Sequence, residues 1–375
     1  MSSFIETTAS TSETASSSAT VIEKPKYIFQ IGQETDIGGS RTNQDESFVL
    51  IVPTIDLVVN CILDGHGSHF GEHIAKGTKE FMINKINIEK DKLLDNPQEY
   101  LSSLFLEANE NCKQILMDIL SKSPIQFKEE DGLIYSRKHN TLPWSKVRGG
   151  TTCTMVVIIK NKLFTANVGD SKSLLCSHIN CVQELTTDQS LEKFEEFKRI
   201  HDCGGLAVYD NQACEKHLCS PIYSKNEYDE FVKTENGHYY KNVSKEWATL
   251  VSSPSGDDAL AMSRSLGDLS LKRYGVIPNP DINCIDLDEN FNNLEKSTVC
   301  VVTASDGLWD NWIDDHVGKF VMDPSCLKAI VEKPQDEAQR VAKSLMARND
   351  DFARKNFGSG RDNATCIVMY INKIN

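Results

Sequence analysis

No run of apolar residues in this 375-residue chain approaches the roughly 18 that a membrane-crossing helix needs. No Lys/Arg block is long enough to form the basic face of a nucleic-acid binder, and the formal net charge is −14. Cysteine is not scarce, yet none of the 12 belongs to a Cys-x-x-Cys pair, which excludes a zinc ribbon or a thioredoxin-like motif. None has an Arg six positions later, so a nucleophilic-cysteine loop is missing too. There is no Walker loop. The N-terminus is Ser/Thr-rich rather than basic and then apolar, and residue 2 is Ser, so neither a secretory nor a myristoylation signal is read there. The expectation is an intracellular protein, cytoplasmic and/or nuclear, with reduced thiols. It should be a monomer that meets neither nucleic acid nor membrane.

What is there reads as ordinary globular chain, with 39% hydrophobic and 25% charged residues and enough length for a sizeable core. Residues 1–24 are low-complexity and are expected to be a disordered tail, leaving 25–375 as a single domain. Residues 47–59 read as two strands around Pro53. Helical spacing is seen over 70–87 and 96–120, and residues 121–148 look polar and irregular. Residues 152–159, 163–168 and 173–176 read as strands of a hairpin arrangement turning at 160–162. A short helix over 191–202 ends at Gly204-Gly205. Residues 206–258 are too long for a plain loop and read as an insertion. A strand at 298–304, a helix at 334–354 and a strand at 364–371 close the chain. Strands that come in hairpins favour two antiparallel sheets with helices outside over a doubly wound parallel sheet.

Four aspartates share one context, an apolar strand ending in Asp beside a glycine or small polar residue. They are Asp64 (ILDGHG), Asp170 (ANVGDS), Asp306 (VVTASDG) and Asp362 (GSGRDN). A strand end aims a carboxylate rigidly, and a neighbouring glycine lets a backbone carbonyl turn toward a ligand. Mg²⁺ and Mn²⁺ want about six oxygens of this kind. One such Asp-Gly more often just starts a turn. Four of them, with Asn43-Gln44-Asp45-Glu46 nearby, favour a cation site. Two other readings of the stretch around Asp64 are weaker. Gly65, Gly67 and Gly71 resemble a dinucleotide fingerprint, but Asp64 would repel the pyrophosphate. His66, His69 and His73 lack a standard zinc spacing.

The chain resembles the metal-dependent serine/threonine protein phosphatases of the PPM family, type 2C. Ten pieces occur in family order: RTNQDE (41–46), DGHG (64–67), GGTT (149–152), ANVGDSK (166–172), LTTDQS with a following Glu and RI (185–200), Gly204-Gly205, LAMSRSLGD (260–268), GVIPNPDI (275–282), ASDGLWD (304–310) and GRDNAT (360–365). The resemblance implies an α+β fold, a four-layer α-β-β-α sandwich of two mainly antiparallel sheets flanked by helices. It implies hydrolysis of phosphoserine and phosphothreonine in phosphoprotein substrates by a metal-activated water, with no phosphoenzyme. Two Mg²⁺ or Mn²⁺ ions are implied, with a weaker third. Asp64 would bridge both ions, the Gly65 carbonyl would add to one, and Asp306 and Asp362 would hold the other. Arg41 would clamp the phosphoryl group and His66 would protonate the leaving alkoxide. Asp170, with Asp306 and Asp310, would form the third metal site.

The sequence departs from the family pattern at Asp45-Glu46, where the usual Glu-Asp order is reversed. If register follows Arg41, Asp45 is the ligand and Glu46 the acid behind it; both are candidate metal residues, and which of them touches the ion is left open. If it follows Asn-Gln-Asp, the ligand position becomes Gln44. The first is preferred because it keeps full charge at the site. The insertion at 206–258 lies where the family has a short flap, and is read either as a determinant of substrate choice or as a plain surface insertion. Arg264 and Asp268 are read as structural. Two other functions remain open: a pseudophosphatase acting as a binding scaffold, and a phosphoesterase for a small molecule.

Overall fold

Residues 57 to 63 are apolar at almost every position, as expected of a strand buried on both faces. The computed structural model describes residues 26–374 apart from 68, 179–180, 211–218, 236, 293–297 and 333–335. The tail expected at 1–24 lies outside the described residues. The first half of the chain forms β1 (Tyr27–Asp36), β2 (Asp45–Val52), β3 (Leu57–His66), α1 (Gly71–Asp95), α2 (Pro97–Ser121), β4 (Gln126–Glu130), β5 (Leu133–Arg137), β6 (Ser145–Lys146), β7 (Gly150–Thr151), β8 (Cys153–Ile159), β9 (Lys162–Val168), β10 (Lys172–His178) and β11 (Cys181–Glu184). The second half adds α3 (Phe194–Asp202), β12 (Leu206–Tyr209), β13 (Tyr223–Lys225), β14 (Phe231–Lys233), β15 (Thr249–Ser252), β16 (Ala259–Leu260), β17 (Leu266–Gly267), α4 (Leu269–Lys272), β18 (Asp281–Asp286), α5 (Leu287–Asn292), β19 (Thr298–Ala304), α6 (Asp306–Trp309), α7 (Asp314–Val321), α8 (Pro324–Glu332), α9 (Glu337–Asn356) and β20 (Ala364–Lys373).

One sheet runs in the order β1-β20-β19-β10-β11. The other runs β17-β7-β3-β8-β9-β18, with β2 also paired to β3. Neighbouring strands in both are antiparallel. Because side chains alternate along a strand, each strand serves two layers. Leu57, Val59, Cys61 and Leu63 of β3, with Met155 and Val157 of β8, pack on Ile74, Met82, Leu101 and Phe105 of α1 and α2. Val58, Val156 and Ile158 point the other way and meet Val299, Val301, Met369 and Ile371 of the second sheet. That sheet's outer face, including Val302, Val368 and Tyr370, packs on Val317, Val341 and Leu345. The layers are helix, sheet, sheet, helix, as expected. Among the described residues no helix is long and apolar enough to cross a membrane.

Several elements differ from the sequence reading. The first long helix continues to Asp95 through a non-helical residue, Glu89. It stops at Asn96, whose side chain accepts from Glu99 N and caps α2, with Pro97 in the first turn. The stretch expected to be irregular holds β4, β5 and β6. Asp131 and Gly132 both have positive φ (52° and 75°), the signature of a two-residue hairpin turn that Asp-Gly favours. The strand at 172–178 does not extend the β8–β9 hairpin. Gly169, at φ 105°, redirects the chain and β10 pairs with β19 in the other sheet. The insertion forms a β13–β14 hairpin and, with β16 just beyond its end, a small sheet β12-β15-β16. Tyr209, Ile222 and Val251 pack there against Phe197 and Ile200 of α3.

Candidate active site

The β2–β3 register sets Asp45 directly opposite Asp64. Partners in register share a face, and this face looks toward the second sheet. There Ser305, which follows β19, donates from Oγ to Asp45 Oδ2 at 2.7 Å. Asp306 opens α6 in the next position, and Asp362 lies two residues before β20. Asp64, Asp306, Asp362 and Asp170 are close enough to act on one another's charge. Strand ends from both sheets therefore carry their carboxylates to one edge. Asn363 braces that edge: its Oδ1 accepts from Gln44 N at 2.8 Å and its Nδ2 donates to Ile37 O at 2.7 Å. Gly65 cannot be replaced without movement, because a Cβ there would sit 2.6 Å from the backbone oxygens of Gln44 and Gly71.

Glu46 faces away. It stands opposite Leu63, on the helix side of the sheet, and binds Lys79 of α1 at 2.9 Å. A one-residue step along a strand flips the side chain to the other face, so the expectation of Glu46 as a metal ligand is corrected. Gln44 contributes its backbone to the site: its carbonyl accepts from Gly65 N at 3.2 Å.

Electrostatics show what the edge lacks. Burial, and then the charges of Asp45, Asp306, Asp362 and Asp170, hold the Asp64 carboxyl well above the usual carboxylate range. Asp306 is pushed up in the same way, by burial and then by Asp170, Asp310 and Asp362. Burial raises Asp45 to about 6, although hydrogen bonds from Ser305 and Thr365 pull it back. Asp310 rises to about 8 and Asp188 to about 7, each mainly through burial. Among the described residues Asp45 Oδ1 and Asp306 Oδ1 are buried without a hydrogen-bond partner, whereas Asp170 and Asp188, whose Oδ1 atoms are also unbonded, have the Lys241 ammonium within 4 Å of their Oδ2 atoms. Orphaned, mutually repelling carboxylate oxygens such as those of Asp45 and Asp306 are the donor set of a hard divalent cation. The residues thus fit the ions the resemblance implies. The carboxylates adjoin rather than close: among the described residues, no three His, Cys, Asp or Glu side chains are already drawn together so as to hold an ion.

His66 ends β3, with Nε2 2.7 Å from Asp268 Oδ2 and Nδ1 buried without a partner. Burial works against its imidazolium, but the Asp268 charge and hydrogen bond outweigh it and raise the pKa. Asp268, in left-handed backbone at φ 44°, also accepts from Ser265 Oγ at 2.7 Å. Its pairing with His66 was missed by sequence reasoning, although Leu266-Gly267-Asp268 repeats the glycine-beside-aspartate pattern of the other sites. Asp188 and Lys241 were missed as well. Only the Thr-Asp-Gln of residues 187–189 hinted at the first, and no motif marked the second. Arg41 is exposed on the loop before β2 and makes no hydrogen bond or ion pair among the described residues. His73 is exposed on α1 and joins no such group.

The fold and the site together define a class: helix-covered double-sheet sandwiches with an acidic edge shared by both sheets. The family described as Protein phosphatase 2C matches residues 53–350, and the chain belongs to that family. It is 24% identical over 334 residues to probable protein phosphatase 2C 76 of Arabidopsis thaliana, covering 88% of this chain and 56% of that protein. It is 25% identical over 294 residues to protein phosphatase 1L of Bos taurus, covering 76% and 62%. The chain thus spans less than two thirds of the length of these relatives. The solved serine-threonine phosphatase 2C from Toxoplasma gondii superposes with a TM-score of 0.58 at 16% identity, over 93% of this chain and 100% of that one. A C. elegans sex determining protein gives 0.55 at 14% identity, over 91% and 64%. Both share the fold.

Proposed function

We propose that this chain hydrolyses phosphoserine and phosphothreonine in proteins with the help of two divalent cations, Mg²⁺ or Mn²⁺. The observation that carries the reading is the buried edge where Asp45 and Asp64 from one sheet meet Asp306 and Asp362 from the other, with carboxylate oxygens left unpartnered. Asp64, the Gly65 carbonyl and Asp45 would serve one ion; Asp64, Asp306 and Asp362 would serve the other. Such ions, when bound, lower the pKa of an attacking water and neutralise charge on the phosphoryl oxygens.

The chain's own groups supply the rest. Arg41, exposed and without a partner among the described residues, would take two phosphoryl oxygens with its planar fork. In the imidazolium form that Asp268 favours, His66 would give its Nε2–H to Asp268 and carry its second proton on Nδ1, from which it would pass to the departing alkoxide and leave neutral imidazole. The whole of 25–375 would act as one catalytic domain, with 206–258 as an enlarged flap beside the site. The test is hydrolysis of a phosphothreonine peptide with Mn²⁺ or Mg²⁺ and then with EDTA, beside Asp64→Ala and Asp306→Ala. Turnover that needs metal and disappears in both variants is expected. Folded, metal-loaded protein without turnover would refute the reading and favour a binding module.

A further inference from the structure

Residues 239–248 close into a loop within the insertion. Lys241 N donates to Glu246 O at 2.7 Å and Ala248 N to Tyr239 O at 3.1 Å. Tyr240 stacks on Trp247 with ring centroids 4.1 Å apart, and Trp247 stands edge-on to buried Tyr209 at 6.3 Å. Val243 N then donates to Asp310 O at 3.1 Å, fastening the loop beside the acidic edge. This carries the Lys241 ammonium in among carboxylates. It lies 3.8 Å from Asp170 Oδ2, 3.9 Å from Asp188 Oδ2 and 3.5 Å from Glu246 Oε2. Distances of that length to several acids at once describe a cation held by a field of charge rather than by one hydrogen bond. Asp170 is 5% exposed and its Oδ1 has no partner. Burial opposes the charge on Lys241, but Asp170, Asp188 and Asp310 outweigh it and raise its pKa.

We propose that Lys241 is a built-in cation that occupies the subsite of Asp170, Asp188 and Asp310, excludes a further divalent ion from it, and latches the insertion onto the active edge. The inference rests on the two-cation reading above, and it replaces the weaker third metal that the resemblance implied there. A side chain already in place needs no translational entropy to bind, so an aqueous ion competes at a disadvantage.

The test counts Mn²⁺ bound per full-length chain by equilibrium dialysis, for wild type, Lys241→Gln, Lys241→Met and Lys241→Arg. The two uncharged variants should bind one more ion than wild type and Lys241→Arg the same number. Adding Asp170→Asn to Lys241→Gln should remove the extra ion. Equal counts in all variants over normal wild-type binding would overturn the lysine inference alone. No Mn²⁺ on the wild-type chain would overturn the reading of the whole site, and the inference with it. Should neither uncharged variant fold, the wild-type count at saturating Mn²⁺ decides: two ions per chain support exclusion from the Asp170 subsite, and three overturn it.

Discussion

Glu196 holds the base of the insertion against the segment that carries Asp268. Its Oε1 accepts from Arg264 Nη2 at 2.6 Å and its Oε2 from Arg199 Nη2 at 2.5 Å, with Ser263 Oγ also bonded. Arg264 goes on to Asp281 at 2.7 Å. Burial alone would raise the Glu196 carboxyl, but the bonds from Arg199, Arg264 and Ser263 outweigh it and bring it from the usual 4.5 to about 2. Its side chain is 5% exposed, so solvent screens these contacts little. At about 1.4 kcal/mol per factor of ten in proton affinity, the shift is worth about 3 kcal/mol of folding stability. The sign follows from the depression. The contribution is fully present above the unfolded-state value near 4.5 and is lost as pH falls through about 2. Glu196→Gln removes it and strands two half-buried guanidiniums, so the cost at pH 7 should be about 3–5 kcal/mol. Urea unfolding of both proteins should show that gap at pH 7 and a smaller one at pH 3. A gap of equal size at both pH values would refute the reasoning, because it would then come from packing rather than from the ionised carboxylate.

Asp268→Asn removes the charge that raises the His66 pKa, so the alkaline limb of kcat/KM for a phosphothreonine peptide should move to lower pH. Hydrolysis of p-nitrophenyl phosphate, whose leaving group needs no proton, should change less; an unmoved limb would remove His66 from the acid role. Asp45→Asn should weaken Mn²⁺ affinity by about 10–100-fold in equilibrium dialysis. Glu46→Gln, which only loses the part-exposed Lys79 pair, should leave Mn²⁺ affinity unchanged and cost less than about 1 kcal/mol in urea unfolding. Gly65→Ala should lower stability by about 1–3 kcal/mol, since its Cβ would press on two backbone oxygens. A thermal midpoint equal to wild type would show that the close approach is not maintained in solution.

The layered fold was legible because period-two burial leaves long apolar strands, and those strands end at residues the sequence itself marks with Asp and Gly. Residues 298–304 were read as a strand with the bounds that the structure gives β19. Sheet membership was not legible for β10, since a strand of the same composition fits either sheet and only the turn at Gly169 decides. The Asp131-Gly132 hairpin carried a usable turn signal, but its polar flanks masked it. At the site, Asp64, Asp306 and Asp362 each showed their strand-end context. The choice between Asp45 and Glu46 needed the register with β3, which is a long-range fact. Asp268 lies 202 positions from His66 and Lys241 lies 71 from Asp170, so no local pattern could pair them.

The acidic edge also explains why the two sheets must be joined by polar contacts just where their apolar interface ends. Further in, Thr303 Oγ1 reaches Asn60 Oδ1 across the sheets at 3.2 Å. At the edge, Ser305 holds Asp45, and Asn363 holds the loop before β2. These bonds position carboxylates that repel one another, and burial together with that repulsion pushes the Asp64, Asp306 and Asp310 carboxyls upward. A cation accepted there would relieve that repulsion only in the assembled sandwich, because Asp64 and Asp306 belong to different sheets. Folding and cation binding would therefore be linked through the same residues, and Lys241 brings a positive charge from within the chain to Asp170 and Asp188.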